Sequence, residues 1–192
     1  MKGFFSMFKD SAAELKNVRC ITTAGLLVAV YIVLDIFSFK IGDAIKINFD
    51  FIATAVTGML FGPVPAVLAA VAGDLVGCIL TGNSPLPLLS LLEVLKGLLY
   101  GMMLYKKSGM RLVTFSIIAR LIDSLVICLV LNTAALMYYN YLSRTSEQLY
   151  IRYGKIATEL IFFIPLMIFL MPAVCEAYER TFGRRKRSEQ KN

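Results

Sequence analysis

Apolar residues fall along this chain in six runs separated by short polar or turn-rich breaks. The first extends from about Val18 to Phe39, and a polar stretch from Lys40 to Asn48, containing Gly42 and Asp43, makes loop one. A shorter run from Phe49 to Phe61 stops at Gly62-Pro63-Val64-Pro65, where two prolines without amide protons force a turn. The third run covers Ala66 to Leu80, and Thr81-Gly82-Asn83-Ser84-Pro85-Leu86-Pro87 forms loop three. Leu88 to Tyr105 is the fourth, closed by Lys106-Lys107-Ser108-Gly109. The fifth, from Met110 to about Tyr141, is longer than a bilayer requires and is expected to tilt or protrude. Loop five holds Ser143 to Tyr150, and the sixth run, Ile151 to Glu179, carries Pro165 and Pro172 as expected kinks.

A bilayer-crossing helix needs roughly 20 apolar residues. The pattern therefore predicts an all-α membrane protein, a six-transmembrane-helix bundle. One transmembrane domain covers 17–180, an N-terminal segment covers 1–16, and a basic tail covers 181–192. Composition agrees: 58% of the 192 residues are apolar and 17% charged, with mean hydropathy +0.71. Lipid, not water, is the solvent for such a surface. The first run continues well past signal-peptide length after Arg19, so it is read as a retained span.

The net charge of +7 changes the picture only at the membrane surface. Basic residues flank the apolar runs instead of lining one helix face, so anionic lipid headgroups are expected as partners and nucleic acid is not. With six crossings, one side collects thirteen of them, from Lys2, Lys9, Lys16 and Arg19 through Lys106, Lys107 and Arg111 to Arg180 and the tail. The other collects five, Lys40, Lys46, Arg144, Arg152 and Lys155, which places both termini in the cytoplasm. Cys20, Cys78, Cys128 and Cys175 lie far apart and the chain has no His, so no metal site is expected.

Ionisable groups inside spans cost several kcal/mol unless paired or solvated, which makes each a functional candidate. Asp35, Asp74, Glu93, Lys96, Arg120, Asp123 and Glu159 lie within runs, and Asp50 lies at the mouth of one. Glu93 and Lys96, like Arg120 and Asp123, stand three apart on one helix and can neutralise each other in place. Their carboxylates cluster toward the outer half, which a cavity open to the outside explains better than structural pairing does. Arg144, Arg152 and Lys155 form a basic edge suited to a ligand carboxylate or, equally, to lipid phosphates. The tyrosines around loop five read as an interfacial belt. Gly25 and Ala29 give the first run a small-xxx-small spacing that admits another helix closely, in the bundle or beyond it.

The chain has no G-x-x-x-x-G-K-[ST] run, no H-E-x-x-H and no G-x-S-x-G. An enzyme is not expected, and any energy for movement has to come from a partner. From Asn17 to Gly101 the chain resembles the substrate-binding S-components of energy-coupling-factor (ECF) vitamin transporters. The likeness rests on the order of three stretches: Leu26 to Leu34, then Ile47-Asn48-Phe49-Asp50-Phe51-Ile52 leading to Gly58-Met59-Leu60-Phe61-Gly62-Pro63, then Ala72-Gly73-Asp74-Leu75-Val76-Gly77. Leu131-Asn132-Thr133 and Tyr150-Ile151-Arg152-Tyr153-Gly154-Lys155 are similar to the folate branch of that family.

The resemblance implies a prokaryotic, multi-pass plasma-membrane protein that binds its vitamin near the outer face. It also implies a membrane coupling subunit docking on Gly25 and Ala29, two ATPase subunits that hydrolyse ATP, and no cofactor in this chain. For folate, Asp50, Asp74 or Glu93 would accept from the pterin, while Arg152, Lys155 and Arg120 would meet the glutamate carboxylates. Asn132 would complete the polar edge, and Tyr31 or Phe49 would stack on the ring. An S-component for another vitamin or precursor, and a membrane scaffold without transport, are the alternatives.

Overall fold

The structure, a computed structural model, describes residues 2–36, 39–41, 45–47, 49–82, 84–139, 146–178 and 180. Side chains are described among these except at 2–5, 39–41, 45–47, 146–149, 151 and 152. Helix α1 (Lys2–Glu14) precedes α2 (Val18–Ile36), which leads into strands β1 (Phe39–Ile41) and β2 (Ile45–Ile47). Then come α3 (Phe51–Phe61), α4 (Pro63–Thr81), α5 (Pro87–Leu104) and α6 (Gly109–Ile122). A π-helical stretch (Asp123–Leu131) joins α6 to α7 (Asn132–Tyr138), and α8 (Ser146–Tyr178) follows.

Five helices among the described residues are long and apolar enough to cross a membrane: α2, α4, α5, the continuous rod Gly109–Tyr138 and Tyr153–Tyr178 within α8. The second apolar run differs. It yields only the 11 residues of α3, about 16 Å at 1.5 Å per residue and roughly half the hydrocarbon core. Its side chains are buried on nearly all sides, from Phe51 and Ala55 to Thr57 and Met59, so neighbouring helices rather than lipid surround it. Loop one also departs from the all-helical expectation, because β1 and β2 pair antiparallel with Phe39 opposite Ile47 and Ile41 opposite Ile45. The segment before residue 17, given no structure by its sequence pattern, forms α1.

Helices α3, α4 and α5 approach backbone to backbone. A Cβ placed on Gly58 would lie 2.8 Å from the Gly101 nitrogen, and one on Gly97 would lie 2.8 Å from Val67 Cα. One on Gly101 would overlap Pro63. Small residues allow this approach, which in lipid must supply by packing what hydrophobic burial supplies in water. The α3–α4 corner turns at Gly62, whose φ of +88° suits glycine. Ser11 of α1 closes that corner from outside: its Oγ donates to the Phe61 carbonyl (2.9 Å) and accepts from the Val64 amide (3.1 Å). Val64 lies in the first turn of α4, where an amide has no partner within its own helix. Asp10, one residue earlier, binds Lys106 beyond the end of α5 (2.8 Å) and raises that ammonium above the usual lysine range.

Phe51, Val56, Met59, Tyr100, Leu104, Leu112, Phe163, Met167 and Met171 pack into the main core between α3, α5, α6 and α8. Large apolar side chains such as Ile79, Met110, Phe162 and Phe169 face outward, as a lipid-solvated surface requires. Gly101→Ala is expected to cost about 1–3 kcal/mol through overpacking against Pro63. Gly154→Ala, where a Cβ meets nothing within 4 Å, should stabilise by up to about 1 kcal/mol through helix propensity. Thermal unfolding in detergent compares the two; equal melting temperatures would refute the close α4–α5 contact.

Candidate functional site

The helix ends away from the Ser11 corner converge on two adjoining cavities that share Asp50 and Asn132. The larger, about 200 Å³, lies between α2, α4 and α5 and is lined by Tyr31, Asp35, Asp74 and Glu93 besides the shared pair. The smaller, about 70 Å³, is lined by Lys96, Arg120, Asp123, Cys128, Lys155 and Glu159. Carboxylates dominate the first, while acids and bases balance in the second.

Local sequence places each group. Tyr31 of α2 fits a notch made by Gly73, where a Cβ would overlap its ring, and its hydroxyl donates to Glu93 Oε2 at 3.4 Å. Glu93 and Lys96, one turn apart on α5, form an ion pair, and Lys96 Nζ also lies 4.0 Å from Asp50 Oδ2 at the head of α3. Asp74 of α4 accepts from Ser90 Oγ at 2.6 Å. Arg120 of α6 donates to Asp123 Oδ2 at 2.8 Å, and the Tyr100 hydroxyl donates to the same oxygen at 2.9 Å. The Arg120 guanidinium stacks 3.8 Å from the Phe51 ring centroid and 5.0 Å from that of Phe163. Glu159 of α8 lies 3.9 Å from Arg120 Nη2 and 3.5 Å from Lys155 Nζ.

The π-helical stretch explains why Asp123, Cys128 and Asn132 reach one cavity. Bonds from i to i+5 stack residues five apart, so Asp123 and Cys128 share a face that an α-helix would separate, and Asn132 follows one α-turn on. The same region holds buried atoms with no hydrogen-bond partner: Arg120 Nε, Asp123 Oδ1, Ser124 Oγ and Thr133 Oγ1.

Of the residues named from the sequence, Tyr31, Asp50, Asp74, Glu93, Arg120, Asn132 and Lys155 line these cavities. Phe49 lies elsewhere, in an apolar groove of about 270 Å³ with Phe162, Phe163 and Leu166, packed edge-to-face on Phe163 at 5.1 Å. Arg152 falls within α8, but its side chain lies outside the described residues, as does all of Arg144. Gly25 and Ala29 are exposed on α2, and a Cβ on Gly25 would meet nothing within 4 Å. Both i,i+3 pairs are closed as their spacing indicates, and both still line the cavities. Asp35, Asp123 and Glu159, functional candidates as ions within apolar runs but given no ligand contact by the sequence, line the cavities as well, as does Cys128, which its sequence gives no role. For Glu159 a signal existed, the i,i+4 spacing from Lys155.

A helical bundle with apolar outer faces and a buried, ion-lined double cavity defines a membrane-embedded binding protein. The family described as "ECF transporter, substrate-specific component" matches residues 19–178, and the chain belongs to it: a transporter subunit, not an enzyme. Among solved structures the chain is similar to one described as "Crystal structure of FolT bound with folic acid", at 25% identity and TM-score 0.65, covering 80% of this chain and 92% of that one. No curated protein sequence matches.

Asp123 is 1% exposed, so Arg120→Met would leave a buried carboxylate without its cation. That variant is expected to lose about 3–5 kcal/mol of stability, whereas Arg120→Met combined with Asp123→Asn should lose much less. Additive losses in this double-mutant cycle would refute the pair as a unit.

Proposed function

We propose that this chain is the high-affinity folate-binding subunit of an ECF-type importer. On this reading it crosses a prokaryotic plasma membrane six times with both termini in the cytoplasm, and α3 makes the short second crossing. It takes folate from the outside and delivers it inward with a coupling membrane subunit and two ATPases; the chain itself needs no cofactor. The observation that carries the reading is a carboxylate-lined cavity joined to one where bases stand beside the acids Asp123 and Glu159. Asp35, Asp50, Asp74 and Glu93 ring the larger one, and Arg120, Lys155 and Lys96 reach the smaller.

Folate has the same two-ended character. Its pterin offers adjacent N–H donors, which carboxylates accept in parallel, and its glutamate offers carboxylates to a guanidinium and an ammonium. Asp50, Asp74 and Glu93 would take the pterin with Tyr31 beside the ring, and Asn132 would serve both ends. Arg120, Lys155 and Arg152 would take the glutamate. The likeness to a FolT structure containing folic acid supports the same ligand. The excess of carboxylates in the larger cavity favours a second reading, a cationic vitamin, for which the bases of α8 would be membrane anchors.

Tracer folic acid binding tests the first reading. Asp74→Asn and Arg152→Ala should each weaken it on the order of tenfold, the loss of one charge-assisted hydrogen bond. Wild-type affinity in both would sink the site assignment. A thermal-shift panel of vitamins on purified protein separates the two ligand readings, since only the true ligand should raise the melting temperature strongly. The exposed Gly25 and Ala29 face of α2 is the proposed coupling surface, where a neighbouring helix could approach to backbone distance. Replacing both residues with Leu should reduce co-purification of the coupling subunit and ATPases while tracer folate binding stays intact. Undiminished co-purification would remove α2 from the interface.

A further inference from the structure

Glu159 occupies an unusual position among the buried ions. It is 6% exposed on the wall between the smaller ion-lined cavity and the apolar groove of Phe49, Phe162 and Phe163. Its two cations are both held loosely: Arg120 Nη2 at 3.9 Å and Lys155 Nζ at 3.5 Å. Charge-assisted N–H···O bonds close to about 2.7–2.9 Å when nothing prevents it. Arg120 meets its other carboxylate, Asp123, at 2.8 Å, so the guanidinium itself is well placed. Its Nε has no hydrogen-bond partner although the side chain is buried. One end of Arg120 is therefore committed to Asp123, and its plane is stacked between Phe51 and Phe163, while its Nε and Nη2 atoms have no close carboxylate and keep capacity for one.

We infer that Glu159 is a built-in stand-in for the ligand's carboxylate, and that it yields Arg120 to the ligand by moving onto Lys155, one helical turn away on α8. The inference rests on the folate reading and adds a residue to it. Every carboxylate keeps a cation beside it at each stage, although the ligand adds one negative charge and Arg120 then serves two carboxylates. Without ligand, Glu159 is shared between Arg120 and Lys155, and Asp123 and Asp50 accompany Arg120 and Lys96. With ligand, its carboxylate takes the Nε and Nη2 edge of Arg120, and Glu159 and Lys155 close into a tight i,i+4 pair. Glu159 is then a competitor of the ligand and not a contact that holds it. Removing its charge should strengthen binding, the opposite sign from any residue that touches the ligand favourably. The competition also makes the cavity selective, because only a ligand bearing a carboxylate can displace Glu159 from Arg120.

The test is tracer folic acid binding to the full chain carrying Glu159→Gln. The expected result is affinity at least about tenfold tighter than wild type, as removal of a competing ground-state interaction predicts. p-Aminobenzoylglutamate should gain as a competitor, whereas pterin, which lacks the carboxylate arm, should not. The ligand-free variant is expected to melt lower, from repulsion between Arg120 and Lys155, and to show a larger shift with folic acid. Glu159→Asp keeps the charge but draws it back from Arg120, so it should move affinity in the same direction by a smaller factor and covers poor folding of the amide variant. Unchanged or weakened folic acid affinity in these variants, or an equal gain for pterin, would overturn the inference. Wild-type protein that does not bind folic acid at all would instead overturn the folate reading.

Discussion

A carboxylate or guanidinium inside a lipid-solvated bundle has no water to share its charge, so its partners must come from the protein itself. In this fold that condition organises everything around Arg120. Arg120 and Tyr100 both donate to one carboxylate oxygen of Asp123, Phe51 and Phe163 sandwich the guanidinium plane, and Glu159 and Lys155 extend the network to α8. A second group, Glu93 with Lys96, reaches Asp50 at the head of α3. Helices α3, α5, α6 and α8 are thus joined by charge at one level and by the Met167, Met171 and Leu112 core below it. Because breaking a buried pair costs more than the pair contributes, the network specifies which helices lie together more than it stabilises them.

Backbone contacts set the distances over which those charges act. Asp50 is within 4.0 Å of Lys96 only because Gly58 and Gly101 bring α3 and α5 together, and Gly97 does the same for α4 and α5. The Ser11 bridge fixes the Gly62 corner at the opposite end, which leaves α3 a short, fully enclosed post. A post of about 16 Å is roughly half the thickness of a hydrocarbon core. Its upper end, at Asp50, is where both cavities meet, so the shortness of α3 and the existence of the cavity have one cause.

How much of this the sequence disclosed depends on how local the interaction is. Helix limits at Val18, Pro63, Pro87 and Gly109 follow from caps, prolines and charges within a few residues, and the structure has them within a few positions of the apolar runs. The Glu93–Lys96 and Arg120–Asp123 pairs were legible as i,i+3 spacings. Nothing local marks Glu159 as a neighbour of Arg120, since that contact depends on how α6 and α8 cross. The π-helical winding was equally hidden: Asp123-Ser124-Leu125-Val126-Ile127-Cys128 reads as an ordinary apolar helix, and only tertiary packing decides the extra residue per turn. The shorter run that forms α3, Phe49 to Phe61, counts among the six because hydropathy cannot tell a helix enclosed by protein from one enclosed by lipid. Helix α1 was passed over because its partner, the Gly62 corner, lies some fifty residues away.

The unpartnered atoms give the network its direction. Arg120 Nε, Asp123 Oδ1, Ser124 Oγ and Thr133 Oγ1 are already withdrawn from solvent. Their desolvation is a cost of folding, so a ligand that supplies partners gains the interaction without removing water from the protein side again. Such unmet capacity is costly in a bundle that only has to hold itself together, where an apolar residue would serve better. It is well spent where the missing partner arrives from outside. The distribution agrees, because the loosely satisfied groups sit on α6, the π-helical stretch, α7 and α8, with Arg120, Asp123 and Glu159 lining the smaller cavity, while the Ser11, Gly58 and Gly101 end is closed tightly. One end of the molecule is built for permanence and the other is left incomplete for something to bind.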